Sequence, residues 1–241
     1  MSEDKKFNNA KKVVELLGGV KNNSRVLLLT DQETEKNREY LVSSLENSKC
    51  KYKHIQIETA KSHGSELPEK IAEEMKLVDL VIGLTKGNIT HTKARKDAQK
   101  EGVHVIALPE SHLDNFFLAN GWNCDFEKTK PQIERLAQAL TDADRARVHT
   151  EDGTDIEMSI KGRNGRALTG YGNSVDVSAG YCLESSLAPV EGTANGTIMV
   201  NTSVPGLCLI KEQNIEIKIK DGLATDINGG KEAEAFRNLL K

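Results

Sequence analysis

The chain has 241 residues, enough for one large domain or two modest ones with a real core. Charged residues make up 29% and the net charge is −3, which favours no polyanionic partner; aromatics at 4% argue against base stacking on nucleic acid. No apolar run approaches membrane-spanning length, and no apolar signal segment follows Met1, so a cytoplasmic protein is expected.

The apolar spacing of Val13, Val14, Leu16 and Leu17 predicts an amphipathic helix over about 5–17. Arg25 to Thr30 is a continuous apolar run bounded by polar loops, the pattern of a strand buried on both faces of a parallel sheet. A helix is predicted over 34–47, with Tyr40, Leu41 and Leu45 inward, then a strand over 52–57. A helix around 68–75 and a buried strand over 78–84 follow, then a helix over 92–101 ending at Gly102 and a strand over 103–108. This alternation with short connections specifies a doubly wound α/β domain with a parallel sheet, assigned to residues 1–127.

Ligands of such sheets sit beyond the carboxyl ends of the strands. The loop after the first strand, 30–34, has neither GxGxxG nor GxxxxGK[ST], so a dinucleotide or nucleotide phosphate site is not expected there. The loop 85–92 after the third strand opens a helix, and its N–H groups are friendly to an anion. Thr90 or Thr92 as a plain helix cap is the competing reading, and His91 between them is either a surface histidine or a candidate substrate contact. The other histidines have no HxxxH or HExxH spacing and so offer no local metal signature. The four cysteines, Cys50, Cys124, Cys182 and Cys208, lie far apart with no CxxC pair and read as free or buried thiols.

From about residue 131 the texture changes. A helix over 131–143 bridges to short, glycine-punctuated strands at 147–150, 155–160, 197–201, 208–210, 215–220 and 223–227, with Asp221-Gly222 as a hairpin turn between the last two. A helix over 232–240 closes a mainly antiparallel α+β domain assigned to residues 128–241. Three features there bear on chemistry. The turn before the 155–160 strand carries Thr154 and Asp155, and the turn 161–166 carries Arg163 and Arg166, suited to carboxylate or phosphate recognition. Ordinary hairpin chemistry is the alternative for both. Third, Ala188-Pro-Val-Glu-Gly192 sets Glu191 in a turn fixed by Pro189 and Gly192, a rigid placement suited to metal ligation or substrate positioning, with a surface glutamate in an ordinary turn as the alternative.

In succession, Thr90 to Arg95, Gly153-Thr-Asp155, Gly162-Arg163, Ala188-Pro-Val-Glu-Gly192, Gly196-Thr-Ile198, Asp221-Gly222 and Gly229-Gly230 carry a resemblance. The chain resembles the thermophilic metalloaminopeptidases (leucyl aminopeptidase or aminopeptidase T-like) and their relatives, the 2,5-dihydroxypyridine dioxygenases. The resemblance implies a metal-dependent, homodimeric enzyme acting on a peptide or small molecule, with no nucleic-acid or membrane partner. It makes Glu191 a metal ligand; Thr154, Asp155, Arg163 and His91, read from their turns, stay the candidate substrate contacts. The first expectation is a hydrolase releasing N-terminal residues from peptides with zinc, cobalt or manganese. The alternatives are a ring-cleaving dioxygenase with a single non-haem iron, and a shortened, metal-free member acting as a small-molecule enzyme or a binding or regulatory protein. Between the enzymes, Gly192 to Ile198 leans toward the dioxygenase branch. The family's Pro-x-Gly-Glu step is replaced here by Ser178-Ala-Gly-Tyr181, and its remaining ligands belong to a later segment, so Glu191 is the one ligand expected from this sequence.

Overall fold

The structure, a computed structural model, describes residues 2–60, 62–205 and 207–240. The chain forms two compact units, 1–134 with 167–185, and 135–166 with 186–241.

The first unit is built on a four-stranded parallel sheet of order β2-β1-β3-β4, with β1 (Arg25–Asp31), β2 (Lys51–Ile57), β3 (Leu80–Leu84) and β4 (His104–Leu108). The unbroken apolar run of β1 has a direct cause. Val26 and Leu28 enter one core with Val13, Val14, Leu41 and Leu45, while Leu27 and Leu29 enter another with Ile71, Met75, Ala94 and Ala98. One core is served by α1 (Ser2–Lys11), its π-helical continuation Lys12–Leu17 and α2 (Glu35–Asn47); the other by α3 (Glu69–Met75) and α4 (Lys93–Lys100). Helices on both faces of a parallel sheet are the expected doubly wound α/β arrangement.

The few aromatics are concentrated. Phe116, Phe117, Phe126 and Tyr181 each make ring contact with Trp122, with Trp122 and Phe117 fully buried and Trp122 Nε1 donating to the Phe116 carbonyl at 2.9 Å. Phe126 also explains a difference from expectation. α5 spans Phe126–Asp142 and therefore contains Pro131, which had been expected to open it. Asp125 caps the earlier start by accepting from Lys128 N at 3.1 Å, and burial of Phe126 anchors it.

Residues 167–185 belong with the parallel unit although they follow the first strands of the other one. They lie along β4: Val105 N donates to Asn173 O at 3.3 Å, and Ala107 N to Ser178 O at 2.9 Å. An otherwise bare sheet edge is thereby covered.

The second unit holds a five-stranded antiparallel sheet of order β13-β12-β9-β6-β5. Its strands are β5 (Arg145–His149), β6 (Asp155–Ser159), β9 (Asn195–Val200), β12 (Ile215–Lys220) and β13 (Leu223–Asn228). β12 alternates as its sequence dictates: Ile215 and Ile217 pack with Ile227 and with Ala233 of α6 (Lys231–Leu239), and Lys218 faces out. The Asp221-Gly222 turn takes positive φ at both residues, 49° and 77°, as a two-residue hairpin of this type requires. Three short strands had no expectation behind them: β7 (Arg166–Leu168), β8 (Glu184–Ser186) and β10 (Ser203–Val204), the last pairing with β11 (Cys208–Leu209). Among the described residues no helix is long and apolar enough to cross a membrane.

Candidate functional site

The turn bearing Glu191 is held by backbone on both sides. Val190 N donates to Ser159 O at 2.8 Å, and Thr193 Oγ1 ties the turn by donating to Val190 O at 2.6 Å while accepting from Ser159 N at 3.1 Å. Gly192 takes φ 77°, and Gly222 of the β12–β13 hairpin packs so close that a Cβ on it would sit 2.9 Å from Gly192 N. The backbone of the turn is therefore fixed on both sides of Glu191. Its side chain is 83% exposed and forms an ion pair with Arg163 from the turn after β6. The carboxyl group titrates below its ordinary range, first because its own backbone N–H hydrogen-bonds it and then because the Arg163 guanidinium lies beside it.

The other expected contacts in this unit are engaged elsewhere. Asp155 accepts two hydrogen bonds from Arg147 across the β5–β6 pair, both at 2.7 Å, and this pairing lowers its pKa. Thr154 is buried, and its hydroxyl accepts from Met199 N at 2.9 Å, tying the β5–β6 turn to β9. The structure thus joins Arg163 to Glu191 and joins neither to Asp155 or Thr154.

His91 lies in the first unit, exposed, in the loop before α4. Thr92, not Thr90, caps that helix: its Oγ1 accepts from Arg95 N at 3.2 Å. The N–H groups read as friendly to an anion already have one. Glu66 takes Lys93 N at 2.6 Å and Ala94 N at 3.1 Å. Desolvation opposes ionisation of Glu66, yet the N–H groups of Lys93, Ala94 and Leu67 outweigh it and hold its pKa low. No signal marked Glu66, because the residues it serves lie 27 and 28 positions on.

Also unmarked in the sequence is a cluster at the carboxyl edge of the parallel sheet. Glu110, with φ 60°, faces His63 Nε2 at 3.1 Å and His112 Nδ1 at 3.4 Å. His63 Nδ1 accepts from Asn88 N at 3.1 Å, so its Nε2 carries the proton directed at Glu110. Glu110 and His112 share the loop after β4 while His63 comes from the loop after β2, so no local spacing announces the cluster as a whole.

The metal implied by the resemblance can be tested against these side chains. Among the described residues no three His, Cys, Asp or Glu side chains converge on a point that would hold an ion. Glu191 offers one carboxylate, already turned to Arg163, and a protein-held metal ion takes three or more ligands. These residues on their own do not fit a metal centre. The cysteines are all free thiols.

A family model described as "NicX: 2,5-dihydroxypyridine 5,6-dioxygenase" matches residues 9–241. Among solved structures the fold is similar to that of a 2,5-dihydroxypyridine dioxygenase from Pseudomonas putida KT2440, with TM-score 0.82 and 17% identity over 98% of this chain and 71% of that one. It is more distantly similar to wild-type AmpT from Thermus thermophilus, with TM-score 0.60 and 12% identity over 100% of this chain and 75% of that one. No curated protein sequence matches. At these identities the structural likenesses speak to the fold, and the family model speaks to membership.

Proposed function

Since the chain belongs to the NicX family of 2,5-dihydroxypyridine 5,6-dioxygenases, we propose that it serves oxidative cleavage of a dihydroxylated pyridine ring by dioxygen. The observation that carries this reading is the family match over residues 9–241, nearly the whole sequence. The hydrolase expected first has a weaker basis, a TM-score of 0.60 to AmpT. The alternative named beside it is the better supported of the two.

In this reading the Arg163–Glu191 pair is a substrate-positioning element. The guanidinium donates to a ring hydroxyl or its oxyanion, and the carboxylate accepts from a ring N–H or O–H. Both stand on turns fixed by backbone hydrogen bonds, so the pair offers its outward-facing donor and acceptor atoms to the edge of a flat ring from a backbone that is already ordered. Oxygen chemistry of this kind is the province of non-haem iron. The described residues do not assemble the ligands for one; iron enters the proposal from the family match, and the homodimer from the resemblance.

The test is oxygen uptake by the full-length protein supplied with ferrous iron and 2,5-dihydroxypyridine. The expected result is one dioxygen consumed per ring lost, with Arg163→Lys and Glu191→Gln both slowed. Absence of uptake together with release of amino acids from peptides would return the hydrolase to first place. Sedimentation at micromolar concentration tests the dimer.

A further inference from the structure

In the parallel unit the carboxyl ends of β1, β2 and β3 open onto a cleft of about 550 Å³, within the range of small-molecule pockets. Strands β2 and β3 flank β1 on opposite sides, so the cleft lies where the order of the sheet reverses. Open α/β sheets place ligands at such points. None of the side chains discussed for ring cleavage lines it.

The roof is the segment formed by 58–60 and 62–68, which is fastened rather than loose. Gly64 N donates to Asn88 O at 2.9 Å, Asn88 N donates back to His63 Nδ1, and Glu66 is bound to the first turn of α4. Gly87 presses against Ala60 so closely that a Cβ there would lie 2.6 Å from the Ala60 Cβ. The cleft is therefore formed before any ligand arrives, which lowers the ordering cost of binding.

Its chemistry narrows the ligand. Ile57, Leu67, Pro68, Ile71 and Ile89 give it an aliphatic wall. Among the described residues lining it, the charged groups are the carboxylates Asp31, Glu58 and Glu66 against the single ammonium of Lys70. That balance repels phosphates and polycarboxylates. Asp31 is buried; its side chain accepts from Glu33 N at 3.0 Å, from Lys86 N at 2.8 Å and, as a helix cap, from the Thr34 N–H, which leaves one of its four lone pairs for a further donor. A ligand suited to these walls has a compact apolar body, no negative charge and at least one N–H or O–H donor.

We propose that this cleft is a second small-molecule site, taking a neutral or cationic nitrogen heterocycle that donates to Asp31 and Glu58 while its ring rests on the aliphatic wall. The proposal stands on the cleft alone and does not depend on ring-cleaving activity.

The probe is 2-pyridone, titrated into the nitrogen-15-labelled full-length protein while backbone amide shifts are followed. Saturable shifts are expected on Gln56 to Ala60 and on Thr85 to Ile89. N-methylated pyridone, which lacks the N–H donor, should bind roughly tenfold more weakly, the ordinary value of one lost hydrogen bond to a charged acceptor. Ile71→Trp fills the cleft and should abolish the shifts. Gln56→Trp, at the exposed rim, does the same without disturbing the interior should Ile71→Trp fail to fold. Failure to saturate, equal binding of the methylated probe, shifts confined to other residues, or competition by inorganic phosphate would each overturn the site. Because binding and not turnover is read, an inactive dioxygenase leaves this result standing, and an empty cleft leaves the dioxygenase reading standing.

Discussion

The two units solve the same problem of burying a sheet in opposite ways. In the parallel unit every residue of β3 is buried, and successive residues of β1 feed different cores. In the antiparallel unit α6 covers one face, and β13 buries only Ile227. A sheet covered on both faces leaves its free polar groups at the strand ends, where the cleft and the Glu110 cluster are found. A sheet covered on one face leaves them in its turns, where Arg163 and Glu191 stand. The division of labour between strand ends and turns follows from burial.

Core truncation should separate the units most strongly. Trp122→Ala removes a fully buried indole and its hydrogen bond to Phe116 and is expected to cost about 3–5 kcal/mol in denaturant unfolding. Ile217→Ala, at the edge of the smaller core, should cost about 2 kcal/mol, and equal losses would break the contrast. Gly196→Ala comes next. Its Cβ would fall 2.1 Å from the Asp155 carbonyl at a φ of 140°, a conflict expected to cost about 3 kcal/mol. Hydrogen exchange should then show β6 and β9 losing protection while β1 and β3 keep theirs.

A smaller effect tests the roof of the cleft. The folded-state pKa of Glu66 lies below its unfolded value, so its contribution is complete above the unfolded carboxylate range near pH 4.3 and disappears as pH falls through the lowered folded value. Glu66→Gln should therefore lower the melting temperature at neutral pH and flatten its decline with acid. An unchanged acid limb would mean that the cap on α4 contributes nothing. The least effect on stability is expected from Glu191→Gln, because the side chain is exposed. Its melting temperature should match the parent while oxygen uptake falls; a loss of both together would make Glu191 a structural residue.

Much of the fold was legible because burial leaves a period in the sequence. The run 25–30 reads as a doubly buried strand, and Ile215, Ile217 and Ile219 read as one face of another. Residues 167–185 were not legible: they hold β4 through backbone groups such as Asn173 O and Ser178 O, which any sequence supplies. The extra turns of α5 were hidden by Pro131, whose usual place is the first turn. Of the site, Glu191 was marked by its flanking Pro189 and Gly192, and Arg163 by its glycine-rich turn. Their pairing across 28 residues was not, since it depends on the register of β6 and β9. Glu66 and the His63–Glu110–His112 cluster share that character, being products of loop convergence and not of spacing.

The strip along β4 has a consequence for how the molecule is made. The chain leaves the parallel unit after Glu134, re-enters it at Ala167, and leaves again after Ser185. A ribosome must therefore emit the first strands of the antiparallel unit before the parallel sheet can be sealed. Until then β4 presents unpaired N–H and C=O groups to any passing strand. A truncation at residue 134 would freeze that intermediate, and its expected fate is aggregation through an unfinished edge, although every strand of its sheet is present.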